Sequence, residues 1–130
     1  MNIGEVSQLS GVPAKTIRYY EEVGLIPPAQ RSEAGYRRFG DRDLSTLRFV
    51  QRARSLGFTV KDVSALLALW QDTSRASAEV KALAAEHCAH IDAKIAELEA
   101  MRRTLDDLMT RCHGDEHPDC PILDDLASRS

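Results

Sequence analysis

The sequence predicts a mainly α-helical protein, with short helices around a small hairpin in the first half and one long helix in the second half. Apolar residues recur at helical spacing through the first seventy residues, where Gly and Pro interrupt the pattern at short intervals. A seven-residue repeat then runs from Ser77 to Cys112 without Gly or Pro. The hydrophobic share of 43% and the charged share of 28% are typical of globular proteins, which excludes wholesale disorder.

The chain of 130 residues has the length of one domain, or of one small domain with an appendage too thin to fold alone. No apolar stretch approaches the roughly 20 residues needed to cross a bilayer, and the first ten residues lack the pattern of a signal peptide. We therefore expect the chain to stay in the cytoplasm. Three cysteines are a poor set for a disulfide scaffold there, and thiols, metal ligands or core atoms are the better interpretation.

Two short helices joined by a tight turn open the chain. The first is predicted to end at Gly11, and Pro13 stands where the second begins. The second ends at Gly24, which can adopt the left-handed conformation of a helix C-terminus. The apolar positions that define these two helices are Ile3, Val6, Leu9, Ile17, Tyr20 and Val23.

A small hairpin and two more helices complete the first half. A Glu-Ala-Gly turn at residues 33–35 lies between two short extended arms. Asp41 is predicted to cap the third helix, which runs to Gly57, and Thr59 is predicted to cap the fourth. Trp70, at the end of the fourth helix, is predicted to lie in the core. The other apolar positions of these helices are Leu44, Leu47, Val50, Val63, Leu66 and Leu67.

The long helix of the second half carries a coiled-coil seam. A helix from Ser77 to Cys112 would be about 54 Å long, too long to stand without a partner along its apolar stripe. The sequence contains no second long helix, so the predicted partner is the same helix of another copy, and the protein is predicted to be a homodimer. The seam positions are Ala84, Ile91, Leu98, Leu105 and Cys112, interleaved with Val80, His87, Lys94, Met101 and Leu108.

The two halves differ in charge, and the first half is basic. Residues 1–70 hold ten Lys and Arg against seven Asp and Glu, whereas residues 71–130 hold seven against thirteen. The net charge of −3 therefore does not argue against nucleic acid, because DNA binding depends on a local basic face.

The first two helices have the layout of a helix-turn-helix, in which the second helix lies in the major groove of DNA. Arg18 can reach guanine edges or phosphate, Lys15 is a flexible phosphate charge, and Tyr19 offers a hydroxyl group with a planar face. Thr16 shares the start of this helix. The hairpin would add a wing on the DNA backbone through Arg31, Tyr36, Arg37 and Arg38.

Two cysteines near the C-terminus point to a sensing chemistry. Cys112 ends the long helix, and Cys120 follows eight positions later, after a loop in which Gly114 and Pro118 favour a compact path. Pro121 opens a short predicted helix. Cys120 then lies at a helix N-terminus, where free amides and the helix dipole favour a metal thiolate.

The number of ligands decides which metal such a pair would hold. Two thiolates suit a soft monovalent ion such as Cu(I), whereas Zn(II) usually takes four ligands and would recruit His113, His117 or carboxylates. From the residues alone, a Cu(I) site, a Zn(II) site with a histidine and an unmetallated redox pair remain open.

The motifs of the chain resemble those of the MerR family of winged helix-turn-helix regulators, and the resemblance covers nearly the whole chain. It implies a winged helix-turn-helix DNA-binding domain in residues 1–70, a long antiparallel coiled-coil dimerisation helix in residues 71–112, and a metal-binding loop and short helix in residues 113–130. The motifs are Ile3-Gly4-Glu5-Val6, Thr16-Ile17-Arg18-Tyr19-Tyr20-Glu21, Gly24-Leu25-Ile26, Arg31-Ser32-Glu33-Ala34-Gly35-Tyr36-Arg37 and Arg52-Ala53-Arg54-Ser55-Leu56-Gly57-Phe58.

Within this family the chain resembles the copper efflux regulator (CueR-like, HmrR-like) branch. Its paired cysteines flank a Gly-Asp loop that Pro-Ile-Leu follows, and Ser77 stands where members that sense divalent ions carry a cysteine donated across the dimer. The resemblance implies that Cys112 and Cys120 bind Cu(I), Ag(I) or Au(I). Ser77 of the partner chain would then lie beside the site. Two thiolates and one monovalent cation leave a net negative charge that a buried site must neutralise, and the hypothesis is that Lys81 of the partner chain, one turn beyond Ser77, balances it together with the amides at Cys120.

The resemblance also implies a homodimer that binds promoter DNA, distorts it when metal binds, and thereby activates transcription of copper tolerance genes by RNA polymerase. The residues expected to contact DNA are Lys15, Thr16, Arg18, Tyr19, Arg31, Tyr36, Arg37 and Arg54. A Zn(II)-responsive or thiol-redox regulator with the same cysteines and a coiled-coil adaptor without DNA binding are the alternatives. An enzyme is not expected, because no nucleophile-base pair or Gly-rich phosphate loop is present.

Overall fold

The computed structural model describes residues 1–35 and 37–128, and it is mainly helical, as the sequence predicts. In this part of the chain, six helices and one two-stranded antiparallel sheet form. The helices are α1 (Ile3–Ser10), α2 (Ala14–Glu22), α3 (Asp41–Ser55), α4 (Val60–Gln71), α5 (Ser77–Arg111) and α6 (Pro121–Ser128), and the strands are β1 (Gln30–Arg31) and β2 (Arg37–Arg38). A search of the described residues finds no helix with the length and apolar character needed to cross a membrane.

The turn between α1 and α2 is fixed by local hydrogen bonds. Gly11 ends α1 with a φ of 78°, a left-handed conformation that favours glycine, and its N–H donates to the Ser7 carbonyl at 2.9 Å. The Ser7 hydroxyl donates to the Val12 carbonyl at 2.6 Å, and the Val12 N–H donates to the Ser10 hydroxyl at 3.2 Å. The predicted tight turn between the two helices is confirmed.

The predicted hairpin is present between α2 and α3. Gln30 pairs with Arg38, and Arg31 pairs with Arg37. The turn closes through a hydrogen bond from the Gly35 N–H to the Ser32 carbonyl at 2.9 Å. The hairpin therefore forms in the segment that directly follows the helix-turn-helix in the chain.

Of the two predicted helix caps, the cap of α4 is confirmed and the cap of α3 is wrong. Thr59 caps α4, because its hydroxyl accepts from the Asp62 N–H at 3.1 Å while the Asp62 carboxylate accepts from the Thr59 N–H at 3.3 Å. The prediction that Asp41 caps α3 is wrong, because Asp41 is already helical and Gly40 precedes it as the cap. The Gly40 N–H donates to the Asp43 carboxylate at 2.8 Å, so the acid that reaches back lies three positions further on.

One hydrophobic core holds α1 to α4 and the base of the hairpin together. Two residues predicted on apolar faces depart from it: Leu9 and Val23 are 52% and 46% exposed. The prediction of Trp70 in the core is also wrong, since Trp70 is 44% exposed and packs one ring face on Phe49 at a centroid distance of 4.5 Å. The buried core residues are Val6, Val12, Ile17, Tyr20, Leu25, Ile26, Phe39, Leu47, Val50, Ala53, Val63 and Leu67.

A short connection joins α4 to α5. The Asp72 carboxylate accepts hydrogen bonds from the Ser74 hydroxyl at 2.6 Å and from the Ser74 N–H at 2.9 Å. These bonds favour the ionised form and hold the pKa of Asp72 below its usual value. The hydrogen bonds from Ser74 to Asp72 are therefore stronger above that pKa than in acid.

The helix α5 is continuous over 35 residues, which corresponds to a length of about 52 Å. The chain divides into two compact units, Met1–Val80 and Lys81–Ser130, and the boundary falls within this helix. Its predicted seam is exposed in the single chain: Ile91, Leu98, Met101 and Leu105 are between 40% and 53% exposed. Leu108 is different, because it is only 3% exposed.

Candidate nucleic-acid interface and metal site

One face of α2 is buried in the core and the other is exposed. Ile17 and Tyr20 point into the core and are 0% and 5% exposed. Lys15, Arg18 and Tyr19 lie on the exposed face, and Thr16 is half-buried. The buried face fixes the helix on α1, with which it packs, and leaves a basic and hydroxyl-bearing face for a ligand.

The start of α2 adds backbone donors to that face. Its N-cap is Pro13, which has no side-chain acceptor and makes no capping hydrogen bond. The first N–H groups of a helix have no partner within the helix, and together with the helix dipole they attract anions such as phosphate. Lys15, in the first turn, brings a positive charge to the same end of the helix.

The hairpin carries further cations. The Arg31 guanidinium donates from Nη1 to the Gly35 carbonyl at 3.0 Å, which holds this side chain along the turn. Arg38 is exposed, and it lines a shallow depression on the hairpin together with Arg31. Tyr36 lies outside the described residues, and the side chain of Arg37 is likewise not described, so their predicted DNA contacts stay predictions.

Two arginines of α3 are held by carbonyl groups at the ends of other segments. Arg54 donates from Nη1 to the Phe58 carbonyl at 2.7 Å, which fixes it on the connection between α3 and α4. Arg48 donates from Nη2 to the Leu9 carbonyl at 3.4 Å, at the end of α1. Arg48 is not among the predicted DNA contacts, although it is an exposed cation of the basic half and the amphipathic period of α3 places it on the outer face.

The predicted metal-binding cysteines each lie at the end of a helix. The Cys112 N–H donates to the Leu108 and Met109 carbonyls at 3.1 and 3.2 Å, so the hydrogen bonding of α5 extends to this residue. The Cys120 carbonyl accepts from the Asp124 N–H at 3.0 Å, which places Cys120 at the N-terminus of α6, as predicted. Both cysteines are half-buried free thiols.

The electrostatics of these two helix ends differ. The N-terminus of α6 carries partial positive charge and favours an anionic sulfur at Cys120. The C-terminus of α5 carries partial negative charge and favours a cation beside Cys112. A metal cation bound by both sulfur atoms matches both helix ends, and two thiol donors form a soft ligand set.

The loop between the cysteines has its own internal order. Gly114 takes a φ of 66°, and the Asp115 carboxylate accepts from the His117 N–H at 2.9 Å. The same carboxylate lies 3.6 Å from His117 Nδ1, and the imidazole is 76% exposed. Within the described ranges, no three His, Cys, Asp or Glu side chains are grouped so that they could hold a metal ion.

Ser77 and Lys81 are exposed on the first turns of α5. They are four residues apart and therefore share one face of the helix. Cys112 follows the last residue of α5, so the length of this helix separates Ser77 from Cys112 along one chain. Their predicted place beside the metal depends on a partner chain and stays a prediction.

Comparison with known proteins gives the chain a family context. Residues 1–69 match the family model described as MerR HTH family regulatory protein, and residues 44–108 match the model described as MerR, DNA binding. The chain is 58% identical to Heavy metal-dependent transcription regulator 2 of Rhizobium meliloti (strain 1021) over 130 residues, which cover 100% of this chain and 88% of that protein.

A second relative and a solved structure are also similar over nearly their full lengths. The HTH-type transcriptional regulator CueR of Escherichia coli O157:H7 is 41% identical over 127 residues, 98% of this chain and 94% of that protein. The crystal structure of the transcription regulator PbrR691 from Ralstonia metallidurans CH34 in complex with lead(II) is similar with a TM-score of 0.82 at 34% identity, covering 97% of this chain and 98% of that one.

Proposed function

The chain belongs to the MerR family of helix-turn-helix regulatory proteins, and from this premise we propose that it activates copper efflux and tolerance genes in response to Cu(I), with Ag(I) and Au(I) as equivalent effectors. Like these relatives, the chain is a metal-dependent transcriptional regulator. The observation that carries the proposal of Cu(I) is the position of Cys120 at the N-terminus of α6, eight residues after Cys112 at the end of α5.

In this proposal, residues 1–70 are the DNA-binding domain. The outer face of α2 enters the major groove through Arg18 and Tyr19, and Lys15 and the first amides of α2 bind phosphate. Arg31 of the hairpin and Arg54 at the end of α3 hold the flanking backbone. A promoter is bound in the cytoplasm, where RNA polymerase is the partner that reads the altered DNA.

Residues 71–112 are the dimerisation helix in this proposal. The exposure of the α5 seam supports a second copy as its cover, because a continuous apolar stripe on a long helix is stable only when it is packed. An antiparallel arrangement would place the start of one α5, with Ser77 and Lys81, near the end of the other. Three exposed ion pairs lie on α5, one of them at the seam position Lys94, and add about 0.2–0.5 kcal/mol each: Lys94 with Glu97, Arg102 with Asp106 and Arg111 with Asp107.

Residues 113–130 form the sensor in this proposal. Cys112 and Cys120 would hold the metal ion, and its coordinate bonds to both sulfur atoms would link the end of α5 to the start of α6. The chain's own part, once both thiolates are engaged, is to pack the apolar side chains of α6, Ile122, Leu123 and Leu126, against the dimer helix. Leu123 and Leu126 are 64% and 66% exposed in the single chain, which supports their use in such packing.

Activation requires that the two forms of the dimer differ in their affinity for metal, because a ligand with equal affinity for both forms shifts no population. The form with α6 packed is proposed to bend and untwist the promoter. Bending a DNA site of about 20–30 base pairs by about 40–90° costs roughly 1–6 kcal/mol, which the contacts of α2 and the hairpin must offset.

Replacing Arg18 with Ala is expected to weaken promoter binding by about 1–3 kcal/mol, since an arginine on the groove-facing side of α2 loses its base or phosphate contact. Fluorescence anisotropy over a range of salt concentrations measures the affinity and its salt dependence. Arg75→Ala is the matched control, because it removes an exposed cation from the connection before α5. Equal losses in the two variants would contradict a role for α2 in DNA recognition.

The coordination number distinguishes Cu(I) from the Zn(II) and redox alternatives. We expect X-ray absorption of the protein loaded under strictly reducing conditions to give two sulfur neighbours per copper ion. A centre with four mixed sulfur and nitrogen neighbours on zinc, retained against copper, would instead show that His113 or His117 joins the cysteines. Failure to retain any metal, with a reversible disulfide between the cysteines, would support the redox alternative.

A further inference from the structure

Leu108 is unlike the other large apolar residues of α5. Of the residues of this helix, all of which the structure describes, Leu108 alone is buried, at 3% exposure. Leu105, one turn earlier, and Met109, the next residue, are 50% and 55% exposed. A seam that packs only in a dimer explains why the other apolar residues are exposed in the single chain. It does not explain why Leu108 is already buried there.

The segment that follows α5 is the candidate cover of Leu108. A lone helix cannot bury one of its own side chains, and the compact unit that contains Leu108, Lys81–Ser130, consists of most of α5 and the residues after it. In that following segment, the residues that are half-buried include both predicted metal ligands and the start of α6: Cys112, Cys120, Pro121, Ile122 and Asp125. The rest of the loop, residues 113–119, is exposed.

The helix α6 needs such a contact in order to exist. It has eight residues, and isolated helices shorter than about 12–15 residues are marginal in water. Its first turn contains the hydrogen bond from Asp124 to the Cys120 carbonyl, which gives Cys120 its place at a helix N-terminus. Packing on the end of α5 therefore stabilises the environment of the second thiol as well as the helix.

We propose that Leu108 is a positioning residue that holds the start of α6, and with it Cys120, on the end of its own α5 before metal binds. The inference rests on the proposed metal-sensing function and deepens it. The side chain lies one helical turn before Cys112, so the same turn of α5 carries the first ligand and the anchor of the second. Metal then closes a loop whose two ends are already held, which lowers the ordering cost of binding.

Hydrogen exchange on the metal-free full-length protein tests the anchor directly. We expect the Asp124 amide to exchange at least tenfold more slowly than the exposed amides of residues 113–119. Leu108→Ala should remove this protection and lower the affinity for Cu(I), measured by competition with a chelator, by at least tenfold. Leu108→Met, which conserves the volume, should restore both.

Met109→Ala is the matched control, because it removes an apolar side chain of similar size from the neighbouring exposed position. It should leave the exchange of the Asp124 amide within twofold of the original. Fast exchange of this amide in the unsubstituted protein overturns the proposal even if Leu108→Ala fails to fold, and so does a folded Leu108→Ala protein with unchanged exchange. The exchange result is independent of metal, so a protein that is protected but binds no Cu(I) rejects the proposed function and not the anchor.

Discussion

Replacing Cys112 or Cys120 with Ser is expected to lower the affinity for Cu(I) by more than about a hundredfold, beyond the 10–100-fold that loss of a ligand's supporting contact typically costs. A serine hydroxyl is a hard, neutral donor at neutral pH, whereas Cu(I) prefers thiolate sulfur. With two protein ligands in the proposed site, loss of either one removes half of the coordination. Competition titration with a chelator measures the affinity, and transcription reconstituted on a promoter fragment measures the response.

The third cysteine provides the control for this prediction. Cys88 is exposed on α5, far along the helix from Cys112, and Cys88→Ser removes a thiol without touching the proposed ligand pair. We expect this variant to keep its copper affinity. Promoter affinity without metal should stay unchanged in all three variants, because α2 and the hairpin are untouched. A Cys112→Ser or Cys120→Ser protein that still activates transcription with copper would refute the assigned site.

The positions of the helices could be predicted from the sequence because local interactions end them. Gly11 accepts a left-handed conformation that other residues resist, and the Thr59 hydroxyl reaches the amide of Asp62 three residues later. Both signals need only a few neighbouring residues. The seven-residue repeat of α5 is also local, since its spacing alone places the apolar residues on one stripe.

The errors concern choices that local patterns leave open. Asp41 and Asp43 both suit the start of α3, and the prediction of Asp41 as the cap failed because Asp43 is placed to reach back to the Gly40 N–H. Trp70 is a large aromatic residue of a kind often buried in cores, but in the last turn of α4 only one face of its ring packs on Phe49. The burial of Leu108 depends on residues that follow α5, and no periodicity within α5 encodes it.

The candidate sites likewise combine features that local sequence patterns predict with features that depend on other parts of the structure. The basic face of α2 follows from helical period and charge, and the position of Cys120 at a helix N-terminus follows from Pro121. The identity of the metal follows neither from the basic face of α2 nor from the position of Cys120, because it depends on how many donors besides the two sulfur atoms bind the metal ion. In the proposed site, Ser77 and Lys81 would approach the metal only from a second copy, and the sequence pattern of one chain carries no distance between chains.

Replacing Ile17 with Ala is expected to lower the free energy of unfolding by about 2–5 kcal/mol, the cost of removing a large aliphatic side chain from a packed core. Ile17 is fully buried on the inner face of α2, between the predicted DNA contacts Thr16 and Arg18. The cavity would therefore loosen the helix that carries them, and promoter affinity should fall together with stability. Urea denaturation at one fixed protein concentration measures the change, because the stability of a dimer depends on concentration.

Val23→Ala is the matched control for this substitution, since it shortens an aliphatic side chain next to the end of the same helix at a position that is 46% exposed. Its effect should stay within about 0.5 kcal/mol, as for most surface changes. The contrast isolates the inner face of α2 as the part that fixes the helix on the core. If both variants lose the same stability, Ile17 is not packed as described, and the rigid presentation of Arg18 loses its structural basis.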